Sequence, residues 1–152
     1  MAQRGVGRVV ERDGFGDYKV LVVEDETLIR EGIAAFLELE YGLKATLARN
    51  GQQALQAVAT SSPDLIITDV LMPVLDGIEL VRRLKSDSAT RDIPIIVVAA
   101  WHQRRNLALA AGADDFVDKP FDLDDLGGKV MAHLARRAGR RAVDGTFPAG
   151  AA

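Results

Sequence analysis

Short apolar runs alternate along this chain with stretches whose apolar residues recur every three or four positions. Continuous runs of four or five apolar residues are typical of strands buried on both faces. Spacings of three and four residues are typical of helices with one apolar face. Strands are predicted at 19–23, 44–48, 65–68, 95–99 and 115–118, each followed by a helix. The pattern predicts an α/β fold with a doubly wound, five-stranded parallel sheet, (βα)5.

Several residues predict where the helices begin and end. Thr27, Asn50, Asp76 and Asp122 have side chains that cap helix N-termini, and Glu79 lies where a capping box places its second acid. A glycine pair at 127–128 interrupts the last helix, and each glycine costs about 1 kcal/mol relative to alanine there. Either that helix is locally weak or another element packs very close to it.

The ends of the chain differ in composition from its middle. Residues 1–17 mix four glycines with charges, and they are expected to form a flexible leader. Residues 18–137 carry the periodic pattern and form the predicted domain. Residues 138–152 are rich in Arg, Ala and Gly, and they are expected to form a flexible tail.

Composition narrows the classes of function. The 152 residues suit one domain, and the net charge of −3 argues against a general nucleic-acid surface. The absence of cysteine excludes disulfides and thiolate metal sites, and two histidines, His102 and His133, are too few for a histidine-rich site. His133 is expected to be solvated. No apolar run approaches the ~20 residues of a membrane span, and no signal peptide is evident, so a cytoplasmic protein is expected.

Charged residues follow three of the predicted strands. Glu24 and Asp25 come after the first strand, Asp69 after the third and Lys119 after the fifth. Taken singly, each residue has an ordinary explanation. Glu24 and Asp25 could simply be acids at the start of a helix, and Asp69 and Lys119 could simply be turn residues. Because parallel strands end at one edge of a sheet, the four side chains together fit one site better. Carboxylates ~4 Å apart repel by about 4 kcal/mol per pair at an effective dielectric of ~20, which Mg²⁺ would relieve.

Five motifs then occur in a fixed order. They are VLVVEDE at 20–26, PDLIITDVLMP at 63–73 with DG at 76–77, IPII at 93–96, GADDF at 112–116 and KPF at 119–121. Over about residues 19–136, this set resembles the receiver domain of two-component response regulators. The resemblance implies the sheet order 2-1-3-4-5.

The resemblance also implies roles for individual residues. Asp69 would accept a phosphoryl group from a histidine kinase or a histidine phosphotransfer protein, and the domain would then signal to a downstream protein target. Glu24, Asp25, Asp69 and the backbone carbonyl of Leu71 would hold Mg²⁺, and Lys119 would contact the phosphoryl group. Phosphoryl transfer depends mainly on positioning and charge neutralisation, which a metal and a lysine supply.

The chain differs from that family at one of its two switch residues, the positions that respond to phosphorylation in receivers. Receivers carry Thr or Ser at the end of strand four, where this chain has Ala99. They carry an aromatic residue on strand five, where this chain has Phe116. Ala99 cannot donate a hydrogen bond worth roughly 1.5–3 kcal/mol to a phosphoryl group. We therefore expect Asp69 to be phosphorylated still, but helix four to move less. Trp101 is expected to cover the loop as a rim residue; the alternative is that Trp101 or His102 fills the space left by Ala99.

Four functional hypotheses follow. The first is a stand-alone phosphorylatable switch. The second is a receiver fragment of a DNA-binding transcriptional regulator, with the arginine-rich end starting a linker, and the third is a pseudo-receiver scaffold. A phosphatase of the haloacid dehalogenase type needs a second Asp two residues after the nucleophile, where Leu71 stands. In the favoured hypothesis this chain is a signalling domain, not an enzyme, and contacts neither membrane nor nucleic acid. Homodimerisation through helix four, strand five and helix five, common in the family, stays open.

Overall fold

The fold is a parallel sheet with helices on both faces. A computed structural model describes residues 16–100 and 102–143. Most of the predicted leader, Trp101, the side chain of His102 and the last part of the predicted tail lie outside the described residues. The strands are β1 (Lys19–Val23), β2 (Lys44–Ala48), β3 (Leu65–Asp69), β4 (Ile95–Ala99) and β5 (Asp115–Asp118). The helices are α1 (Thr27–Tyr41), α2 (Gly51–Ser61), α3 (Gly77–Ser86), α4 (His102–Ala111) and α5 (Leu123–Val143).

The strand order is β2-β1-β3-β4-β5, as the resemblance implied. All four pairings are parallel, and their register aligns Val23 with Thr68 and Ala99 with Asp118. β3 is buried along its whole length because it has a strand on either side and apolar clusters on both faces. This register brings the residues that follow β1, β3 and β5 to the same edge of the sheet.

Two of the predicted caps illustrate how local chemistry starts these helices. The Asn50 side chain accepts a 2.8 Å hydrogen bond from the Gln53 amide at the start of α2. The Asp76 side chain accepts one of 2.9 Å from the Glu79 amide at the start of α3. These bonds satisfy backbone donors that have no partner within the helix.

The predicted cap at Thr27 is wrong. Thr27 is the first residue of α1, and the capping position falls on Glu26, whose side chain makes no capping bond. The Glu26 amide instead donates to the Glu24 carboxylate at 3.1 Å. The start of α1 is therefore tied to the acidic residues that precede it.

The last helix is longer than the sequence pattern indicated. α5 continues to Val143, so residues 138–143, predicted as tail, are helical. The glycine pair within it is explained by close packing at one of its two members. A Cβ on Gly127 would lie 2.7 Å from the Tyr41 ring, whereas a Cβ on Gly128 would meet nothing within 4 Å.

None of the helices in the two described stretches combines the length and hydrophobicity needed to cross a membrane.

Candidate functional site

Three acidic side chains meet at the carboxyl edge of the sheet. Glu24, Asp25 and Asp69 each offer a carboxylate oxygen within 4.8 Å of the others. Asp25 and Asp69 line a cleft of about 300 Å³, whose lining also includes Leu71 and Ala99. The structure therefore brings together the predicted acids, as parallel strands with this order require.

Lys119 bridges two of these acids. Its Nζ lies 3.0 Å from Asp69 Oδ2 and 3.3 Å from Glu24 Oε1. Its own amide donates to the Ala99 carbonyl at 2.8 Å, which holds the backbone after β5 against β4. Burial alone would lower the pKa of Lys119, but its hydrogen bonds to Asp69 and Glu24 and their charges outweigh burial and raise it. The ammonium group is thus held in its charged form.

Asp69 is fixed on its other side by backbone groups. Its Oδ1 accepts a 2.6 Å hydrogen bond from the Val70 amide, and its Oδ2 accepts one from Lys119 Nζ. The turn that follows needs glycine at position 77, because a Cβ there would overlap the Asp69 carbonyl oxygen. The Gly77 amide donates to the Val70 carbonyl at 2.8 Å, which completes the turn. The carboxylate is therefore oriented before any ligand arrives.

Glu24 is the most perturbed acid of the site. Its side chain is buried, and burial, together with the charge of Asp69, raises its pKa to about 7 against the opposing effects of the Glu26 amide and Lys119. Three carboxylates meet one ammonium group here, so their formal negative charge exceeds what Lys119 neutralises. Oxygen ligands with excess negative charge, one of them on the exposed Asp25, suit a hard divalent cation such as Mg²⁺. The residues present therefore fit the metal that the sequence implied.

Arg30 is a part of this site that the sequence analysis missed. It is 7% exposed, and its guanidinium donates to the carbonyls of Glu24 at 2.8 Å and Asp25 at 3.4 Å. A buried positive charge thus holds the backbone of the first two acids. The available signal was its position: Arg30, Ile33, Ala34 and Leu37 form the buried stripe of α1. An arginine on an apolar stripe needs buried acceptors.

Arg104 was also missed. It lies in the first turn of α4 and lines the acidic cleft beside Ala99 and Ala100. Together with Lys119 it gives that lining a second cation. The sequence signal was weak, because an arginine in an exposed helix has many ordinary uses.

The other residues singled out from the sequence agree with the structure to different extents. Leu71 lines the cleft, but its role as a carbonyl ligand stays a prediction. Ala99 ends β4 beside the cleft, and Phe116 is buried with the Arg105 guanidinium 5.9 Å from its ring centre.

The expectation that His133 is solvated is wrong. It is 8% exposed and bonds Asp115 Oδ2 at 2.9 Å, because its face of α5 turns toward β5.

Comparisons with known proteins agree on one family. The family model of the response regulator receiver domain matches residues 20–131 of this chain. The chain is 44% identical over 119 residues to the phosphate regulon transcriptional regulatory protein PhoB of Pseudomonas aeruginosa, covering 77% of this chain and 52% of that protein. It is 39% identical over 120 residues to the response regulator MprA of Mycolicibacterium vanbaalenii, covering 78% of this chain and 51% of that protein. The chain thus spans about half the length of these relatives.

A solved structure supports the same assignment. The signal receiver domain of a signal transduction histidine kinase from Syntrophus aciditrophicus superposes with a TM-score of 0.74 at 36% identity. The match covers 78% of this chain and 91% of that one. The likeness therefore extends over nearly the whole of an isolated receiver domain.

Proposed function

This chain belongs to the family of response regulator receiver domains, and we propose that it acts as a signalling switch by accepting a phosphoryl group on Asp69. The donor would be a phosphohistidine of a histidine kinase or of a histidine phosphotransfer protein. The observation that carries this proposal is the position of Lys119 Nζ, 3.0 Å from Asp69 Oδ2 and 3.3 Å from Glu24 Oε1. A buried carboxylate with a bonded ammonium is arranged for a reaction that places more negative charge beside it.

The reaction forms a bond between an Asp69 oxygen and phosphorus while the bond from phosphorus to the donor's imidazole nitrogen breaks. The electron pair of that bond stays with the imidazole. Asp69 exchanges the single charge of a carboxylate for the two charges of an acyl phosphate. The Lys119 ammonium opposes the added charge, and the Val70 amide keeps the carboxylate from rotating. Both effects are positioning and neutralisation, on which phosphoryl transfer mainly depends.

Glu24, Asp25, Asp69 and the Leu71 carbonyl would hold Mg²⁺. When bound, the ion supplies further neutralisation of the phosphoryl oxygens. Support comes from the geometry of the three carboxylates, each of which offers an oxygen atom within 4.8 Å of the others. Arg30 holds the backbone of the first two ligands through its hydrogen bonds to their carbonyls.

The output of this switch would be steric. Ala99 has no hydroxyl to follow a phosphoryl group, and the Phe116 ring is buried at 4% exposure. Movement of α4 would therefore depend on contacts such as that between Arg105 and Phe116. A downstream protein target would read a smaller change than a hydroxyl-bearing receiver produces.

A second candidate is the receiver module of a transcriptional regulator. It is favoured by the 44% identical relative, which is named as a transcriptional regulatory protein and is about twice as long as the matched region. The sequence of the full reading frame tests this candidate directly. A DNA-binding domain encoded on either side of this chain would establish it, and a reading frame that encodes none would exclude it.

Labelling by a small phosphodonor tests the acceptor proposal. The full chain is incubated with acetyl phosphate and Mg²⁺, and the intact mass is followed for the gain of one phosphoryl group. Reductive trapping and peptide mapping then locate the modified residue. Modification at Asp69 is expected, with none in Asp69→Asn and an unchanged level in Asp92→Asn, which removes an exposed carboxylate elsewhere. An unlabelled wild-type protein, or label on another residue, would refute the proposal.

A further inference from the structure

A second concavity lies at the opposite end of the sheet from the acidic cleft. It is a pocket of about 210 Å³ beside the beginnings of β4 and β5, where Pro94 and Asp114 precede the two strands. We call it the basic pocket. The basic side chains that line it are Lys85, Arg91, His133, Arg136, Arg137 and Arg140.

One wall of the basic pocket is a single face of α5. His133, Arg136, Arg137 and Arg140 are spaced by three, four and seven residues, so they share one side of the helix over two turns. Arginines near a helix C-terminus interact favourably with the helix dipole, which is the ordinary explanation for them. That explanation does not account for Lys85 and Arg91, which reach the same pocket from the end of α3 and the loop after it.

The basic pocket is strongly positive in a negative protein. Five Lys or Arg side chains and only two carboxylates, Asp92 and Asp114, line it, whereas the whole chain carries a net charge of −3. One of the five is neutralised directly, because Lys85 Nζ lies 2.8 Å from Asp114 Oδ2. Arg137 is engaged as well, donating to the Asp92 carbonyl at 2.9 Å.

Three cations remain to act on a ligand. No carboxylate within residues 16–100 or 102–143 forms an ion pair with Arg91, Arg136 or Arg140, and all three side chains are exposed. Arg136 Nη1 donates to His133 Nδ1 at 3.2 Å. Arg136 also lines the pocket. Like charges brought together by two separate elements repel, and a bound anion relieves that repulsion.

We propose that the basic pocket binds the pyrophosphate group of a small ligand. Guanidinium groups present paired donors that match phosphoryl oxygens, and several of them can share a group with more than one phosphorus. A volume of about 210 Å³ is small beside ordinary pockets for drug-sized ligands, so it suits two linked phosphoryl groups rather than an enclosed nucleotide. The source is either inorganic pyrophosphate or a nucleoside diphosphate whose nucleoside lies outside the pocket.

Titration with three anions tests the proposal. The full chain, labelled with ¹⁵N, is titrated with orthophosphate, pyrophosphate and ADP at constant ionic strength, and amide shifts are followed. Saturable shifts at the backbone of Arg91, Arg136 and Arg140 are expected for pyrophosphate, with orthophosphate binding about tenfold more weakly. ADP binding as tightly as pyrophosphate identifies the group alone as the ligand, and tighter binding of ADP identifies a nucleotide.

Matched variants separate this site from general charge. Arg136→Gln/Arg140→Gln should weaken pyrophosphate binding about tenfold or more, since each lost guanidinium removes charge-assisted hydrogen bonds. Arg49→Gln/Arg82→Gln removes the same charge from exposed positions outside the pocket and should weaken it less than about twofold. Labelling of Asp69 by acetyl phosphate should be the same in all of these proteins, so this test is independent of the acceptor proposal.

Three results would overturn the proposal. The first is an absence of saturable shifts up to about 10 mM pyrophosphate, a concentration at which even millimolar affinity would be saturating. The second is equal weakening by the two double variants. The third is saturable binding of duplex DNA at this face without saturable pyrophosphate binding, which would assign it to a nucleic-acid backbone instead.

Discussion

The buried Arg30 guanidinium donates a 2.8 Å hydrogen bond to the backbone carbonyl of Glu24. A second bond of 3.4 Å reaches the Asp25 carbonyl. The two acids that would hold a metal are therefore supported by a buried cation on the first helix. This relationship makes the acidic site dependent on a residue that touches neither metal nor phosphoryl group.

Arg30→Met should reduce both stability and metal affinity. The variant leaves buried carbonyls without their donor, and each such loss costs about 1–3 kcal/mol of unfolding free energy. We expect Mg²⁺ affinity, measured by calorimetric titration, to fall about tenfold because the ligand backbone is no longer held. Arg30→Lys should restore part of it. Lower stability with unchanged Mg²⁺ affinity would reduce Arg30 to a purely structural role.

Ala99→Ser should enlarge the response of α4 to a phosphoryl mimic. The serine hydroxyl adds one donor at the buried end of β4, beside the cleft that Asp69 shares. Beryllium fluoride with Mg²⁺ should produce small amide shifts over 104–111 in the wild-type protein and larger ones in the variant. Large shifts over this helix in the wild type would show that switching does not need the hydroxyl.

Asp115 should stabilise the protein except in acid. Burial alone would raise the pKa of Asp115, but hydrogen bonds from His133 and the Phe116 amide and the charge of Lys129 outweigh it, so its folded-state pKa lies below the ordinary value of 3.8. Because this folded-state pKa is depressed, the stabilisation is complete above about pH 4 and is lost as pH falls through the lowered value.

Asp115→Asn measures that contribution. Urea unfolding should show a loss of about 1 kcal/mol at neutral pH, the usual size for a partly exposed charge pair, and a smaller loss at about pH 3. Asp92→Asn serves as the exposed control and should show little change at either pH. A difference between wild type and Asp115→Asn that stays constant down to about pH 2 would contradict the assignment.

The glycine pair of α5 offers a matched comparison. Gly128→Ala should raise the unfolding free energy by about 1 kcal/mol, because its Cβ would meet nothing within 4 Å and alanine favours the helix. Gly127→Ala gains the same propensity, but its Cβ would lie 2.7 Å from the Tyr41 ring and 3.0 Å from Phe36. Overpacking costs about 1–3 kcal/mol, so this variant should be less stable than the first. Equal stabilities in thermal unfolding would show that Tyr41 moves aside freely.

Most of the fold could be read from local pattern. Continuous apolar runs such as 95–99 are decisive because a strand buried on both faces favours apolar side chains at successive positions, and the helix stripes follow from 3.6-residue periodicity. Helix ends were less predictable. Thr27 has good capping chemistry, yet it is the first residue of α1, and the capping position falls on Glu26, whose amide donates to the Glu24 carboxylate. The end of α5 was missed because arginines and alanines extend a helix without an apolar period.

The sequence by itself determined which acids and which lysine follow the strands, and therefore that they share one edge of a parallel sheet. Only the tertiary structure decided what surrounds them. The local pattern could mark Arg30 as buried but not its acceptors, the carbonyls of Glu24 and Asp25. Arg104 lines the cleft and His133 is buried against Asp115 because helices pack on the sheet at angles and registers that no local pattern encodes. The basic pocket has the same origin, since its two walls are more than 40 residues apart in the chain and meet only when α5 folds back beside β4 and β5.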